Sequence, residues 1–202
     1  MQLKLFIIIL NFNGGEIIKE CLRAVKWTEK GDWEQEIVVV DNDSTDGSIE
    51  DLKVKVIKNK NNLGFGEGNN VGIKYALENR ADFILILNPD TKVTSKAIVK
   101  MLQVAENDQG IGIVGPKIYQ PNGKIWSYGG QIDPKRCLPG AVSWTQKTWQ
   151  GGKKLREVDF VSGTAMLIKK EVFKKVGFFD PHYFLYYEDV AFCQKAKKAG
   201  FK

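Results

Sequence analysis

Cysteine, histidine and long apolar runs are scarce in this chain of 202 residues. The chain has three cysteines, one histidine and no Cys-x-x-Cys pair. We therefore expect neither a disulfide framework nor a zinc site. The longest apolar run near the start, Leu5–Leu10, is far shorter than the roughly 20 residues of a membrane-spanning helix. Polar residues follow it where a signal peptide would carry small ones. We therefore expect a reducing, cytoplasmic setting.

The composition is that of a soluble globular domain, with 43% hydrophobic and 27% charged residues. The length fits a single domain. A net charge of +6 and a pI of about 9.1 favour anionic partners such as nucleotide phosphates or acidic lipid headgroups. Charge alone does not choose among them, and no motif supports binding to nucleic acid.

Apolar strands alternate with amphipathic helices over residues 1–110. One helix is predicted to be capped by Asn69 or Asn70 and another by Ser95. Continuous apolar strands separated by helices favour a mostly parallel central sheet with helices on both faces, which is an α/β fold. The predicted strands are Leu3–Leu10, Glu36–Val40, Val54–Ile57 and Phe83–Leu87.

The second half of the chain is less regular. We interpret Tyr119–Gly152 as loops or a hairpin and Gly177–Tyr187 as an aromatic loop. The remaining predictions are strands over Gly110–Pro116 and Phe160–Ile168 and helices over Lys170–Val176 and Glu188–Ala199.

Polar clusters follow three predicted strands, at Asn11–Gly15, Asp41–Asp46 and Asn88–Asp90. Ligands of parallel sheets bind beyond the carboxyl ends of the strands, so these loops are expected to share one site. The Asp41 loop could accept hydrogen bonds from a base or ribose, although Asp and Asn are also ordinary turn residues. The Asp90 carboxylate suits Mg²⁺ or Mn²⁺, and a turn satisfied by backbone donors would explain it equally.

Two further segments carry candidate chemistry. The glycines of Gly64–Asn70 allow close approach to a ligand, and the segment opens a helix whose N-terminus favours anions. Glu188 and Asp189 open a helix after the aromatic loop, where a carboxylate can act as a general base. Acids in a first turn also complement the helix dipole. His182 is expected to be a surface or packing residue.

Together these motifs resemble the family 2 glycosyltransferases, and the Asn-Pro-Asp and Gly-Phe-Gly segments look like the rhamnosyltransferase-like branch. The resemblance implies a single-domain GT-A (Rossmann-like) fold, inversion at the anomeric carbon, Mn²⁺ or Mg²⁺, and a nucleotide-diphosphate sugar, with dTDP-L-rhamnose as the first donor expected. The matching segments are Ile8–Asn13, Val38–Gly47, Asn61–Ile73, Leu87–Asp90, Ser162–Ile168, Gly177–Asp180 and Tyr187–Asp189.

The resemblance also assigns roles to individual residues. Asp90 would hold the metal, and Asn88 departs from the family's Asp-x-Asp pattern, which leaves one carboxylate for the ion. Asp189 would be the catalytic base, with Glu188 beside it in acceptor binding, and Asp41 would bind the nucleobase. The full expected donor-binding set is Asn11, Asn13, Asp41, Asp43, Gly66, Asn69 and Asn88.

On this interpretation residues 1–110 form the nucleotide-sugar-binding half and residues 111–202 the acceptor-binding half of one catalytic domain. The acceptor would be a glycan or a polyprenyl-linked glycan in cell-wall or polysaccharide biosynthesis, with peripheral contact at the inner face of the membrane. Similar proteins continue with another strand after Gly200–Lys202, so we expect a C-terminally truncated chain.

Two alternatives remain open from the sequence. One is a non-catalytic nucleotide-sugar- or carbohydrate-binding module left by truncation. The other is a nucleotidyltransferase, which would need a basic, glycine-rich loop after the first strand. Asn11–Glu16 contains no Lys or Arg, so the second alternative is disfavoured.

Overall fold

The computed structural model describes residues 2–25, 33–132, 142–143 and 155–202. The helices are α1 (Gly15–Val25), α2 (Gly64–Glu78), α3 (Ser95–Asn107), α4 (Lys170–Val176) and α5 (Glu188–Lys198). The strands are β1 (Leu3–Asn11), β2 (Trp33–Asp41), β3 (Lys55–Lys58), β4 (Phe83–Leu87), β5 (Ile113–Val114), β6 (Ile118–Tyr119), β7 (Ile125–Ser127), β8 (Gly130–Gln131), β9 (Val142–Ser143) and β10 (Ala165–Lys169).

A six-stranded sheet in the order β3-β2-β1-β4-β10-β5 forms the centre of the molecule. The first four strands are mutually parallel, whereas β10 runs antiparallel to both β4 and β5. The expected mostly parallel α/β sheet is confirmed.

Both faces of the sheet are covered because the strands are apolar on both sides. Side chains alternate along a strand, so Ile7 and Ile9 of β1 face one layer while Phe6 and Ile8 face the other. Helices α1 and α3 pack on the first face, and α2, α4 and α5 pack on the second. Burial of these apolar surfaces is the main stabilising term of the fold.

The starts of two helices differ from the prediction. Asn69 and Asn70 do not cap α2, which begins at Gly64, so both asparagines lie in its second turn and are buried. Glycine is a poor helix former, but tertiary contacts of these glycines override that preference. Helix α3 is capped by Thr94 rather than Ser95, because the Thr94 hydroxyl accepts the Ala97 amide at 3.2 Å.

The second half is more broken than the predicted strands. The long strand expected over Phe160–Ile168 is β10 alone, and Phe160 forms an isolated bridge to Gly130. Strand β5 covers two residues of the segment expected to be extended over Gly110–Pro116. Within Tyr119–Gly152, the described residues form the antiparallel pairs β6–β7 and β8–β9, while residues 133–141 and 144–152 lie outside the described ranges.

The cysteines that the structure describes do not pair. Cys21 and Cys193 are buried and free, as expected, and Cys137 lies outside the described residues. Among the helices of the described ranges, none combines the length and apolar character needed to cross a membrane.

Candidate active site

The loops that follow β1, β2 and β4 leave the sheet at the same edge. Asn11 at the end of β1 is the register partner of Asp41 at the end of β2, and Ile9 is the partner of Leu87 at the end of β4. Because the three strands are parallel neighbours, Asn11, Asp41 and Asn88 emerge side by side. This edge is the candidate active site.

A cluster of buried polar side chains connects the loops that follow β1 and β2. The Asn11 Nδ2 group donates to Asp41 Oδ1 (3.0 Å), Ser44 Oγ (3.1 Å) and Ser48 Oγ (2.9 Å). Asp41 Oδ2 accepts the Ser44 amide at 3.1 Å. Asn11 is 0% and Asp41 2% exposed. The Asp41 carboxylate therefore braces the two loops from inside and does not present a free surface.

The outer residues of the same loops are cross-braced as well. Asn13 donates its amide to Ser44 Oγ (2.8 Å) and accepts the Thr45 amide on Oδ1 (2.9 Å). Asp46 Oδ2 accepts the Gly15 amide at 2.8 Å. Asp43 is exposed and adopts a left-handed backbone with φ of 68°, a conformation that Asp tolerates better than most residues. Asn13 and Asp43 are thus on the outer side of the loops.

Asn42 connects β2 to the start of α2 and was not singled out from the sequence. Its Nδ2 group donates to Asn62 Oδ1 (3.1 Å) and Gly64 O (3.0 Å), and its Oδ1 accepts from Asn59 Nδ2 (2.8 Å). The side chain is buried. The signal that could have found it is an asparagine directly after a buried strand, but the same signal is typical of an ordinary turn.

The glycines of α2 make room for other parts of the protein. A Cβ at Gly68 would lie 2.7 Å from Leu10 Cδ1 and 2.9 Å from Asn42 Nδ2, and one at Gly72 would lie 2.5 Å from Ile8 Cγ2. These close approaches explain the glycines by helix–sheet packing, which differs from the ligand approach inferred from the sequence.

The more N-terminal glycines of α2 face the last third of the chain. A Cβ at Gly66 would lie 3.3 Å from Phe179 Cβ and 3.5 Å from Glu188 Cβ. Gly64 has a φ of 78° and abuts the Phe184 carbonyl, which accepts the Phe65 amide at 2.8 Å. One of the amides at the N-terminus of α2 is therefore already used.

Asn69 and Asn70 are buried and make hydrogen bonds to the protein backbone. Asn70 forms a two-way hydrogen bond with the backbone of Phe179, accepting its amide at 3.1 Å and donating to its carbonyl at 2.9 Å. Asn69 donates to Phe65 O at 2.9 Å, and its buried Oδ1 has no partner among the described residues. Since α2 begins at Gly64, Asn69 is too far along the helix to belong to its anion-attracting end.

The Asn88–Asp90 turn presents a carboxylate to solvent. Asp90 is exposed, and within the described ranges its carboxylate accepts one hydrogen bond, a long one of 3.4 Å from Thr91 Oγ1. The Asn88 carbonyl accepts from Cys21 Sγ at 3.7 Å. Burial, with a smaller contribution from the nearby Asp90 charge, raises the pKa of the Cys21 thiol to about 12. Asp90 is thus available to a ligand, whereas Cys21 below it is an inert thiol.

A divalent cation would find one carboxylate here. The described part of the chain contains no group of three His, Cys, Asp or Glu side chains arranged to hold a metal. Mg²⁺ commonly uses one or two carboxylates and completes its shell with water and substrate phosphates. Asp90 fits a cation shared with a diphosphate, and does not fit an all-protein metal cage.

Glu188 and Asp189 at the start of α5 have different surroundings. Asp189 is half-buried and accepts the Gly163 amide on Oδ2 (2.8 Å) and the Val190 amide on Oδ1 (2.7 Å). Glu188 is only 5% exposed, and its Oε2 has no partner among the described residues. Burial raises the pKa of Glu188, and the Asp189 charge adds to that effect.

A short chain of contacts joins the Asp90 turn to Asp189. The Asn88 amide donates to Thr164 O at 3.0 Å, and Gly163, the residue before Thr164, donates to Asp189.

Two cavities in the described region, of about 270 and 530 Å³, are not lined by Asp41, Asp90 or Asp189. Of the three carboxylates, Asp90 is exposed, Asp189 is half-buried and Asp41 is buried.

The aromatic loop before α5 carries backbone strain that the sequence did not reveal. Tyr186 and Tyr187 both adopt left-handed conformations, with φ of 70° and 71°, which is uncommon for bulky residues. His182 is exposed, and its Nδ1 lies 2.8 Å from Asp180 Oδ1. The prediction that His182 is a surface residue is confirmed.

Comparison with known proteins adds to this geometry. The model of glycosyl transferase family 2 matches residues 6–177. The chain is 28% identical over 211 residues to the low-salt glycan biosynthesis hexosyltransferase Agl10 of Haloferax volcanii, covering 96% of this chain and 62% of that protein. It is 27% identical over 189 residues to the N-acetylglucosaminyl-diphospho-decaprenol L-rhamnosyltransferase of Mycobacterium tuberculosis, covering 81% of this chain and 61% of that protein.

The solved structures show the same fold. The crystal structure of GalNAc-T7 with UDP, GalNAc and Mn²⁺ superposes with a TM-score of 0.75 at 18% identity, over 96% of this chain and 40% of that one. The expected GT-A fold is thereby confirmed. The chain spans about three fifths of the length of the two relatives described above.

Proposed function

Because the chain belongs to glycosyl transferase family 2, we propose that it is the catalytic part of an inverting hexosyltransferase. It would move a sugar from a nucleotide-diphosphate donor to a glycan or lipid-linked glycan acceptor. The observation that carries this proposal is the pair of contacts by which Asn88 binds Thr164 and Gly163 binds Asp189. These two contacts hold the candidate metal-binding turn and the candidate base next to the residues that directly precede β10.

We assign the donor nucleotide to the edge formed by the β1 and β2 loops. Asp41 and Asn11 are buried and hold the two loops together, so their contribution is to position the outer residues. Asn13 and Asp43 on the outer side of those loops are the groups we expect to meet the nucleobase or ribose. A nucleotide bound there would have its diphosphate directed along the strand ends toward Asp90.

The diphosphate would be held at the Asp90 turn. Mn²⁺ or Mg²⁺ bound by Asp90 and the donor's phosphate oxygens would supply neutralisation of the charge that develops on the leaving diphosphate. Asn88 lies two residues before Asp90, and its amide side chain is suited to donate hydrogen bonds to a phosphate or sugar oxygen. Gly66 and Asn69 are buried in α2, and we expect them to support the site through packing.

Asp189 is the proposed general base. Two backbone amides hold its carboxylate in place, and each carboxylate oxygen retains a second lone pair that can accept a proton. The acceptor hydroxyl would transfer its proton to Asp189 as its oxygen attacks the anomeric carbon from the face opposite the diphosphate. Glu188 is buried beside it, and this burial raises the pKa of the Glu188 carboxyl, with the Asp189 charge adding to the effect.

The donor sugar we propose first is L-rhamnose, carried by dTDP. The motif resemblance to the rhamnosyltransferase-like branch supports this choice, together with the similarity to a relative named as an L-rhamnosyltransferase. That relative's name also describes a diphospho-decaprenol acceptor, which favours a polyprenyl-linked glycan as the acceptor here.

Donor binding is tested by thermal shift with dTDP, UDP and GDP, each with and without Mn²⁺. A nucleotide at about 100 times its Kd stabilises a protein by about 2.7 kcal/mol, which raises the Tm of a domain of this size by about 5–10 °C. We expect Asp90→Asn to remove the part of the shift that depends on Mn²⁺. Glu106→Gln, an exposed carboxamide change on α3, is the matched control. An unchanged Mn²⁺ effect in Asp90→Asn would disprove the metal assignment.

Catalysis is tested by release of nucleotide diphosphate from the donor sugar with an acceptor present. General base catalysis contributes about 10²–10⁴-fold, so Asp189→Asn should lower turnover by that factor and leave the nucleotide thermal shift intact. Full turnover in Asp189→Asn would exclude it as the base. Nucleotide binding without any turnover by the wild type would instead support the non-catalytic binding module.

A further inference from the structure

The aromatic loop before α5 is exposed over five consecutive residues. Phe184 is 59%, Leu185 52% and Tyr186 70% exposed, and Tyr183 and Tyr187 are also exposed. A single exposed apolar residue is ordinary, but a contiguous run of large apolar side chains marks an interaction surface. We name residues 183–187 the aromatic loop surface.

A basic segment meets this surface at the start of α2. Lys53, Lys55, Lys58 and Lys60 are all exposed, and residues 52–66 contain no Asp or Glu. None of these four lysines forms a salt bridge with another described residue. Lysines on an edge strand such as β3 also protect it from aggregation, but Lys60 lies beyond the strand and has no such role.

Two hydrogen bonds fix the juxtaposition. Asn62, two residues after Lys60, accepts the Gly64 amide at 2.9 Å. The next residue, Phe65, donates its amide to Phe184 O at 2.8 Å. The end of the basic segment that carries Lys60 and the aromatic loop surface are therefore neighbours across the first turn of α2. Lys58 and Lys60 lie at the edge of the sheet that carries the candidate active site, since Lys58 at the end of β3 is the register partner of Asp41, whereas Lys55 begins that strand.

We propose that the aromatic loop surface and the basic segment together form a docking site for an anionic lipid membrane. Tyrosine rings are enriched at the boundary between lipid headgroups and acyl chains, and Phe and Leu gain from partial burial there. Lysines beside them attract anionic headgroups. Phe12, exposed at the end of β1, lies at the same edge and extends the apolar contact.

A membrane explains this combination better than a carbohydrate partner does. Stacking on a sugar uses the faces of aromatic rings, which would not account for an exposed Leu185 or for the exposed Lys58 and Lys60, which form no salt bridge among the described residues. Of the acidic residues that adjoin the loop, Asp180 contacts His182 (2.8 Å) and Lys195 (4.0 Å), Asp189 accepts two backbone amides, and Glu188 is buried. Docking would place the rim of the active site against the headgroups, where a lipid-linked acceptor presents its glycan. That consequence rests on the proposed function, whereas the docking itself does not.

The test is co-sedimentation of the purified chain with phosphatidylcholine vesicles that contain or lack about one third phosphatidylglycerol. We expect binding to the anionic vesicles, and loss of binding in high salt because charges are screened. Leu185→Ser combined with Tyr186→Asn should weaken partition about tenfold or more. The asparagine keeps a residue that tolerates the left-handed backbone at position 186. Lys58→Gln and Lys60→Gln should each weaken it about fivefold.

Matched controls lie on the opposite side of the sheet. Lys96→Gln and Lys100→Gln remove exposed lysines from α3, and Ile17→Ser removes an exposed apolar side chain from α1. We expect these variants to bind vesicles as the wild type does. A loss of binding as large in the controls as in the loop and lysine variants would overturn the proposal, and so would absence of wild-type binding to anionic vesicles.

Two other outcomes identify other occupants and would also overturn it. If the loop variant changes only self-association, measured by sedimentation velocity, the surface joins two copies of the chain. If it changes only binding to free glycans, the surface is a carbohydrate platform. The nucleotide thermal shift of the same proteins separates this inference from the proposed function. A chain that binds nucleotide but not vesicles refutes the docking site alone, and one that binds vesicles but not nucleotide refutes the transferase alone.

Discussion

Replacing Gly72 by alanine probes whether close helix–sheet packing requires the glycines of α2. An added Cβ would lie 2.5 Å from Ile8 Cγ2 and 2.9 Å from Val40 Cγ2, well inside the roughly 3.5–4.0 Å of a normal carbon contact. Ile8 and Val40 are both 0% exposed, so neither can swing into solvent to relieve the overlap. Helix α2 must shift away from the sheet.

The magnitude follows from two opposing effects. Overpacking a buried site costs about 1–3 kcal/mol, and replacing a helical glycine by alanine returns up to about 1 kcal/mol. Because the 2.5 Å approach to Ile8 is severe, we place the overpacking cost at about 2–3 kcal/mol, and we expect a net loss of about 1–2 kcal/mol in the free energy of unfolding. In urea denaturation this corresponds to a midpoint lower by about 0.5–1 M, with the slope of the transition unchanged.

Gly66→Ala is the matched control on the same helix. The nearest atom to its added Cβ would be 3.3 Å away, on Phe179, so a small adjustment accommodates it. We expect its stability to stay within about 0.5 kcal/mol of the wild type, because overlap and helix propensity nearly cancel. A Gly72→Ala protein as stable as the wild type, or a Gly66→Ala protein equally destabilised, would refute the packing explanation.

Two further substitutions test the polar parts of the site. Glu188→Gln should stabilise the protein at pH 8 but not at pH 4. Folding raises the pKa of Glu188 above its ordinary value of 4.5, so the folded state favours the protonated carboxyl. The stability that this group contributes is therefore complete below pH 4.5 and is lost as the pH rises through the raised pKa of the folded state. Thermal unfolding at both pH values measures this, and an equal effect at both would contradict it. Asn42→Ala should cost about 2–3 kcal/mol, because it breaks three hydrogen bonds and leaves the Gly64 carbonyl short of a donor. The exposed Asn61→Ala is its control in the same urea assay, and equal midpoints for the two variants would show that Asn42 is not a structural connection.

The local pattern of apolar residues was sufficient to predict several of the strands and helices that form the core. Strand β4 and helix α4 have the predicted bounds, and β1 and α5 differ by one residue at one end. Burial on both faces requires a continuous apolar run in a strand, and a helix requires apolar residues at a 3.6-residue period. Both signals lie within a dozen residues, so they can be interpreted without knowing the partners.

The start of α2 was mispredicted because its determinants are distant in sequence. Glycine and asparagine in Gly64–Asn70 are locally typical of a loop followed by a capped helix. In the folded protein the glycines accommodate Leu10, Ile8 and Glu188, and Asn70 binds the backbone of Phe179, 109 residues away. No local propensity contains that information, and the tertiary contacts outweigh the poor helix propensity of glycine.

The sequence by itself determined that apolar strands would form one mostly parallel sheet and that polar loops would follow the strands at a common edge, because both depend on local periodicity and chain direction. Only the tertiary structure decided which polar residues serve as framework and which face outward. Asp41 and Asp43 are two residues apart in the same loop, yet one is buried against Asn11 while the other is exposed. Their difference depends on a hydrogen-bond partner thirty positions away, which exists only once β1 and β2 are paired.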